Sequence, residues 1–250
     1  MVPLNGPIAR PSREHTSMMF SPIQLVTDSV SSFNSLFLDA LHRTACERPE
    51  RFPLCPTLLD GFRQLTAADC RELSAGVRLC LADAQFADEA WWYLAVATPG
   101  RLPPPESVSW MREVDRSPLT QSLLMVAWHG VRSLPSFSRV LFGMRPGVQD
   151  AFEKLSLFQL FGLARSPGNC MVPRWPGRTD IWSHILNESP NDLRALSVEL
   201  RILQACANES SGMLSRAALE FVQDLSVDAA HPSASNHLQE LQEPSRRTRR

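Results

Sequence analysis

The stretch FEKLSLFQLFGLA, residues 152–164, has a related counterpart 90 positions earlier, FRQLTAADCRELSAG, residues 62–76. The two stretches share large apolar residues at three equivalent positions, which are Phe62, Leu65 and Leu73 in the first and Phe152, Leu155 and Leu163 in the second. Each also has a Ser or Thr followed three residues later by Asp or Gln, namely Thr66 with Asp69 and Ser156 with Gln159. Such a pair is typical of a capping box, in which each side chain satisfies a backbone amide of the other residue. The pattern therefore predicts the same capped helix twice.

Other landmarks repeat at nearly the same offset. Trp182 follows Trp92 by 90 positions, and His129 follows His42 by 87. Both halves also show the same order of elements: a helix, a turn broken by Pro, a helix, the capped helix and a Trp-bearing helix. We therefore expect an internal duplication of one helical unit. Chance matching of amphipathic helices is the alternative.

Almost every apolar pattern in the chain has the helical period of 3.6 residues, so we expect an all-α fold without strands. Asp88 is expected to begin an aromatic helix, Gly143 to end a short helix and Pro146 to open the next one. We expect the first capped helix to run to about Leu81, and Thr179 to cap the Trp-bearing helix of the second half. The second capped helix is expected to bury one apolar stripe, formed by Leu157, Leu160, Phe161 and Ala164.

The distribution of Pro divides the chain into two expected domains. Residues 98–118 include TPGRLPPPES, whose three consecutive prolines have no backbone amide to donate, and they are expected to form a linker. A diverged first unit over 21–97 precedes this linker, and a second unit over 119–226 follows it. Residues 1–20 are rich in Pro, Ser and Arg, and both they and the tail 227–250 are expected to be disordered.

The formal net charge of −1 conceals an uneven distribution of charge. Residues 119–207 carry 9 Lys and Arg against 6 Asp and Glu. This mildly basic region is compatible with nucleic-acid contact and equally with an ordinary solvated surface. No apolar run approaches the roughly 20 residues of a membrane span, and the N-terminus lacks the apolar core of a signal peptide. We expect a cytoplasmic protein that does not bind a membrane.

The sequence favours no catalytic chemistry and no cofactor. Six cysteines occur without a C-x-x-C pair, so we expect buried reduced thiols and no metal site. The phosphate-binding, dinucleotide-binding and zinc-protease motifs do not occur in the sequence. His42 and His129 lie beside apolar helical positions, where a core or surface histidine is expected instead of a catalytic base. We therefore expect that the protein is not an enzyme.

The second half of the chain carries a family resemblance. Residues 119–207 contain, in this order, an amphipathic helix, a short helix with a turn, the capped helix, a Cys-bearing loop with a following Arg, and a Leu-rich helix. Their sequences are QSLLMVAWHGV, FSRVLFGMRPGVQDAFEKL, LSLFQLFGLA, NCMVPRW and DLRALSVELRILQ. In order and approximate spacing, this region resembles FlhD, the D subunit of the bacterial flagellar master activator.

The resemblance implies an all-α protein of a kind that dimerises, acts with a second subunit, FlhC, on promoter DNA, and activates transcription. The partners that it implies are DNA, an FlhC-like subunit or a second copy of the chain, and RNA polymerase. Two D-like units in one chain would supply the pseudo-symmetry that the family obtains by dimerising.

Residues 136–165 are expected to form two short helices joined by a Gly-containing turn, followed by the capped helix. This order is compatible with a helix-turn-helix whose second helix enters a major groove. The expected DNA-contacting residues lie on these helices and in the loop after them: Arg139, Arg145, Gln149, Lys154, Arg165, Arg174 and Arg178. The cationic side chains suit phosphates, and Gln149 is the only neutral side chain of the second helix suited to base reading. A solvated helical face is the alternative.

We therefore expect a DNA-binding activator of FlhD type that neutralises promoter phosphates and presents a surface to RNA polymerase. The alternative is a non-enzymatic α-helical adaptor or secretion-apparatus component that binds only proteins. The chain ends in SRRTRR, which is expected either to grip the DNA backbone or to have no function. A continuous Arg face would favour DNA, whereas scattered arginines beside an exposed apolar groove would favour the adaptor.

Overall fold

The computed structural model describes residues 21–98, 110–166 and 171–188 together with Leu193. Over these residues the chain is mostly helical, which confirms the expected all-α class. The expected disordered ends, 1–20 and 227–250, lie outside the described residues.

The first half contains four α-helices and two short 3₁₀ turns among the described residues. The α-helices are α1 (Pro22–Glu47), α2 (Leu59–Gln64), α3 (Ala67–Gly76) and α4 (Glu89–Ala97). The 3₁₀ turns, Pro49–Arg51 and Pro56–Leu58, lie between α1 and α2. A short strand, β1 (Ala82–Asp83), lies between α3 and α4.

The second half has a similar order over its described residues, with an α-helix in place of the two 3₁₀ turns. Its helices are α5 (Glu113–Ser133), α6 (Pro135–Phe142), α7 (Pro146–Lys154), α8 (Leu157–Arg165) and α9 (Thr179–Asn187). Strand β2 (Val172–Pro173) lies between α8 and α9 and pairs with β1 in an antiparallel ladder. The expectation of a fold without strands was therefore wrong in this one place. Two-residue strands carry too short an alternation to be recognised by their period.

Both predicted capping boxes are present. The Thr66 side chain accepts from the backbone amide of Asp69, whose carboxylate accepts from the Thr66 amide at 2.7 Å. Ser156 and Gln159 make the same reciprocal pair at α8, with the Gln159 oxygen 3.0 Å from the Ser156 amide. Asp88 caps α4 as predicted, by accepting from the amide of Trp91 at 2.9 Å.

The predicted turn residues at the junction of α6 and α7 are also in place. Gly143 ends α6 in the left-handed conformation, with a φ of 71°. Pro146 occupies the first turn of α7, where its missing amide costs no helical hydrogen bond. The predicted cap at Thr179 was wrong, because Thr179 is itself the first helical residue of α9 and makes no side-chain cap.

Helix α3 ends at Gly76, five residues before the predicted end at Leu81, and Asn34 provides the physical reason. Asn34 is fully buried on α1, and its amide nitrogen donates to the carbonyls of Val77 and Leu79 at 3.3 and 2.7 Å. Its oxygen accepts from the Leu81 amide at 3.0 Å. These bonds hold residues 77–81 in an extended path across α1, where a helix would have continued by pattern alone.

The two halves share one hydrophobic core among the described residues. Helix α1 packs against α2, α3 and α5, while α5 packs against α6, α7 and α8. The buried cluster runs continuously through residues of both halves and includes Trp110 and Met111. Helix α5 begins at Glu113, so the end of the predicted linker 98–118 is helical and the residues just before it are core. The proline inside this helix, Pro118, lies in its second turn.

The Trp-bearing helices exchange partners between the halves. Trp92 of α4 packs on Phe152 of α7, with ring centroids 4.6 Å apart. Trp182 of α9 packs on Phe62 of α2, with centroids 6.0 Å apart. Each Trp lies 90 positions from the other, as does each Phe, so the two contacts occupy equivalent places. Each half therefore completes the core of the other.

The short ladder follows the same two-fold pattern. Ala82 pairs with Pro173 and Asp83 pairs with Val172. Pro173 lies 90 positions after Asp83, and Val172 lies 90 positions after Ala82, so exchanging the two strands leaves the pairing unchanged. The turns after the strands also match, because Gln85 and Trp175, again 90 positions apart, both have positive φ. Their carbonyls accept from the indoles of Trp92 and Trp182 at 3.1 and 3.2 Å.

We predict that Asn34→Ala lowers the free energy of unfolding by about 3 kcal/mol, because two buried carbonyls and one buried amide lose the side chain that bonds them. Urea unfolding followed by circular dichroism measures this change. Ser32→Ala is the matched control on the same helix, because Ser32 is exposed and bonds only to the Asp28 carbonyl one turn away. Equal stability of the two variants would show that Asn34 does not hold the extended segment.

Candidate nucleic-acid interface

Three of the predicted DNA-contacting cations lie exposed at helix ends in the second half. Arg145 precedes α7, Lys154 ends α7 and Arg165 ends α8. None of the three side chains forms an ion pair or hydrogen bond with another residue that the structure describes. Helix α7 has 9 residues, so Arg145 and Lys154 are separated by about 13 Å along its axis. These side chains have the freedom and charge needed for phosphate contact.

Arg139 and Gln149 are less available. Arg139 is half-buried on α6, and no charged partner for it occurs among the described residues. The Gln149 amide donates to the Glu153 carboxylate at 3.1 Å, one turn further along α7. The same exposed face of α7 carries Asp150, so it presents two carboxylates to any approaching phosphate.

The N-terminus of α7 is occupied by another part of the chain. Glu89 of α4 accepts from the Gly147 amide at 2.9 Å, and the Tyr93 hydroxyl lies beside the same glycine. The first residues of a recognition helix must reach base edges. In α7 these residues are already covered by the Glu89 carboxylate. Residues 136–165 therefore form short helices and a Gly turn as predicted, but α7 is covered where base reading would take place.

Arg174 lies in the core, with only 6% of its surface exposed. Its guanidinium donates to the carbonyl of Leu141 at 2.9 Å and to those of Cys80 and Val140 at 3.4 Å. Burial lowers the pKa of Arg174 to about 10, which leaves it charged at neutral pH. Arg174 therefore joins the β1 and α6 segments and is not placed to contact a phosphate.

Gly143 makes room for this buried arginine. A Cβ at position 143 would lie 2.6 Å from a guanidinium nitrogen of Arg174, and the positive φ disfavours other residues there as well. The sequence did contain a signal for burial, since Arg174 stands between Pro173 and Trp175 and follows Met171 and Val172. Arginine is almost never fully buried unless it is paired, so these apolar neighbours were the one local sign of a core position that the residue type itself does not predict.

Arg178 is exposed but already paired. Its guanidinium donates to the Asp180 carboxylate at 2.6 and 2.9 Å, and this contact holds the pKa of Asp180 at about 2. Contact with a phosphate would have to break or share this pair. Of the seven predicted residues, Arg145, Lys154 and Arg165 are thus the exposed cations without an ionic partner among the described residues.

An apolar surface that the sequence pattern did not predict lies on α8. Leu157 is 41% exposed and Phe158 is 87% exposed, whereas Leu160, Leu163 and Ala164 are buried. The predicted stripe was therefore wrong at Leu157 and omitted Leu163, and its member Phe161 is only half-buried. The equivalent residues of α3 are alanines, 67 and 68, so α3 has no such surface.

The prediction of buried reduced thiols holds for Cys70 and Cys80 and was wrong for the burial of the other two described cysteines, since Cys46 is exposed and Cys55 is half-buried. Cys46, Cys55, Cys70 and Cys80 are all free, and burial raises the pKa of Cys70 to about 11 and that of Cys80 to about 12. Within the described ranges, no group of three His, Cys, Asp or Glu residues is arranged to hold a metal ion. None of the helices described in this structure has an apolar stretch that could span a bilayer.

Comparisons with known proteins gave no match. No family model matches the chain, and no curated protein or solved structure matches it either. Any functional assignment therefore depends on the sequence pattern and on the geometry of the described residues.

We predict that Arg174→Ala lowers the free energy of unfolding by about 3–5 kcal/mol, because three buried carbonyls each lose a guanidinium donor and a cavity is left. Arg178→Ala, four residues away, is the matched control and should leave stability nearly unchanged, since its ion pair with Asp180 is exposed. Chemical unfolding of both variants measures the difference. A stable Arg174→Ala variant would contradict the structural role of this guanidinium.

Proposed function

We propose that this chain is a FlhD-type regulatory subunit that acts at promoter DNA together with a partner subunit. In this proposal the chain supplies in one polypeptide the two-fold arrangement for which the family uses two chains. It neutralises phosphates at one edge and presents a protein surface to its partner and to RNA polymerase.

The observation that carries this proposal is the reciprocal packing of the two halves. Trp92 on Phe152 and Trp182 on Phe62 occupy equivalent positions, and the β1–β2 register maps onto itself at an offset of 90 residues. Isologous contacts of this kind are what a two-fold dimer makes. A duplication of one D-like unit explains why the contacts match, and it also explains why the sequence landmarks keep a nearly constant spacing.

Contact with DNA is assigned to the three exposed cations Arg145, Lys154 and Arg165. Contacts of this type fix register on a duplex and carry no sequence information. Glu89 covers the start of α7, and Asp150 and Glu153 face outwards, so base recognition is assigned to the partner subunit. The chain alone is therefore expected to bind duplexes weakly and with little sequence preference.

An adaptor that binds only proteins is the second candidate. The exposed pair Leu157 and Phe158 favours it, because a phenylalanine 87% exposed beside a second apolar residue is typical of a contact surface for another chain. In the FlhD-type proposal, the same surface would belong to the partner subunit. The two candidate functions therefore make different predictions about DNA binding and the same prediction about protein binding.

We predict that Arg145→Ala with Lys154→Ala weakens binding to every duplex and lowers the slope of log affinity against log salt by about 2 units, one for each lost phosphate contact. Fluorescence anisotropy with the chain's own upstream DNA and a scrambled duplex, over a salt series, measures both quantities. The matched control is Arg51→Ala with Arg71→Ala, which removes the same charge from exposed positions of the first half.

Unchanged affinity and slope in the first double variant would remove these residues from the interface. An equal loss in the control would show that only the net charge matters. Absence of binding at low salt, with and without a co-expressed FlhC-like subunit, would favour the protein-only adaptor.

A further inference from the structure

A groove of about 580 Å³ lies between α2, α3 and the end of α9, away from the three exposed cations. Its apolar lining comes from Leu65, Leu73 and Leu186, and three carboxylates also line it, those of Asp69, Glu72 and Glu188. None of the described residues that line it is a lysine or an arginine.

The carboxylates of this groove are negatively charged at neutral pH. Hydrogen bonds from the backbone and side chain of Thr66 lower the pKa of Asp69. Glu72 is exposed, and Glu188 lies 3.3 Å from a ring nitrogen of His184. The groove therefore combines an apolar lining with a formal charge near −3, which suits a ligand with several cations.

Packing of the fold does not require these charges. At the equivalent positions of the other half, 90 residues away, Gln159 replaces Asp69, Gly162 replaces Glu72, and Thr98 replaces Glu188. Gln159 forms the same capping box as Asp69 without a charge. Gln64, which also lines the groove, corresponds to Lys154 in the other half. The negative charge is thus a property of this one groove and not of the helix arrangement.

The chain itself carries a segment of opposite charge. Its last six residues are SRRTRR, with arginines at 246, 247, 249 and 250. A guanidinium pairs with a carboxylate through two parallel hydrogen bonds, and it is less strongly hydrated than an ammonium group. Residues 189–244 join this segment to Glu188, which lines the groove. Residues 227–244 alone, which the sequence predicts to be disordered, span up to roughly 60 Å when fully extended, so the segment can reach the groove.

We propose that the arginine-rich C-terminal segment, residues 245–250, docks in the acidic groove formed by α2, α3 and the end of α9 of the same chain. The tether keeps the segment near its site, which raises its effective concentration far above that of a free peptide. Charge pairing makes the docking sensitive to salt.

The docking has a regulatory consequence that rests on the proposed function. Docked arginines cannot bind DNA, because their guanidinium groups are paired with the groove carboxylates and not with phosphates. A duplex then competes with the groove for the same guanidinium groups, and the chain binds DNA more weakly than its arginine content would allow.

The test is carbodiimide cross-linking of the full chain carrying Arg247→Lys, in the absence of DNA. Carbodiimide activates a carboxylate, and an amine in direct contact then attacks it to form an amide, while the carboxylate oxygen leaves with the reagent as a urea. Lys154 is the only natural lysine, so products of the lysine introduced at position 247 are readily identified by mass spectrometry. We expect isopeptide bonds from this introduced lysine to Glu72, Asp69 or Glu188 that disappear at high salt. Products with the nearby Glu243 report the reactivity of the introduced lysine itself.

The matched control keeps Arg247→Lys and replaces Arg246, Arg249 and Arg250 by Gln. The groove products should be lost in this variant, while the product that joins the introduced lysine to Glu243 stays unchanged. Groove products that persist without the three arginines would overturn the proposal, as would equal cross-linking to the carboxylates of α7.

A mixture of ¹⁵N-labelled and unlabelled chains distinguishes docking within a chain from docking between chains. We expect groove products that join residues of the same isotopic label, and products of mixed label would overturn the proposal. Because no DNA is present, failure in these experiments leaves the proposed DNA binding untouched.

Discussion

The structure depends on the exchange of two tryptophans between the halves. Trp92 and Trp182 are almost completely buried, and each packs on a phenylalanine of the other half. Burying a large aromatic side chain is among the strongest single contributions to a core. Separating the halves would expose both indoles and both phenylalanine rings at once. The chain is therefore expected to unfold as one cooperative unit, although its sequence has two similar parts.

A small polar assembly lies where the halves meet. The Arg174 amide donates to the Leu81 carbonyl at 2.7 Å and the Cys80 amide donates to the Leu141 carbonyl at 3.0 Å, and both bonds lie beyond the same end of the two-residue ladder. The Arg174 side chain then supplies further donors to the carbonyls of Cys80 and Leu141. Asn34 does the same for the segment that leads into β1. Buried backbone groups outside regular structure require such partners, which explains why two polar side chains, those of Asn34 and Arg174, lie inside an apolar core.

The sequence correctly predicted features that depend on residues close together in the chain. It did not predict features that depend on contacts between residues far apart in the chain. Both capping boxes, the cap at Asp88 and the left-handed Gly143 follow from residues within one turn of each other, and they were predicted correctly. The end of α3 depends on Asn34, more than 40 residues away. The burial of Arg174 depends on carbonyls of α6 and on the β1 segment. Of the predicted site, the exposed cations at helix ends are where the pattern placed them, whereas the covered start of α7 depends on Glu89 from the first half.

The two halves match in their packing and differ on their surfaces. Exposed Leu157 and Phe158 correspond to alanines, Lys154 corresponds to Gln64, and the acidic Glu72 corresponds to Gly162. A dimer of identical chains presents the same surface twice, so a partner can bind in either of two equivalent orientations. A single chain with two different surfaces allows the partner only one orientation. Under the proposed function this asymmetry has a use, because a regulator whose exposed cations, exposed α8 residues and acidic groove lie at different places approaches a promoter and its partner subunit in a single direction.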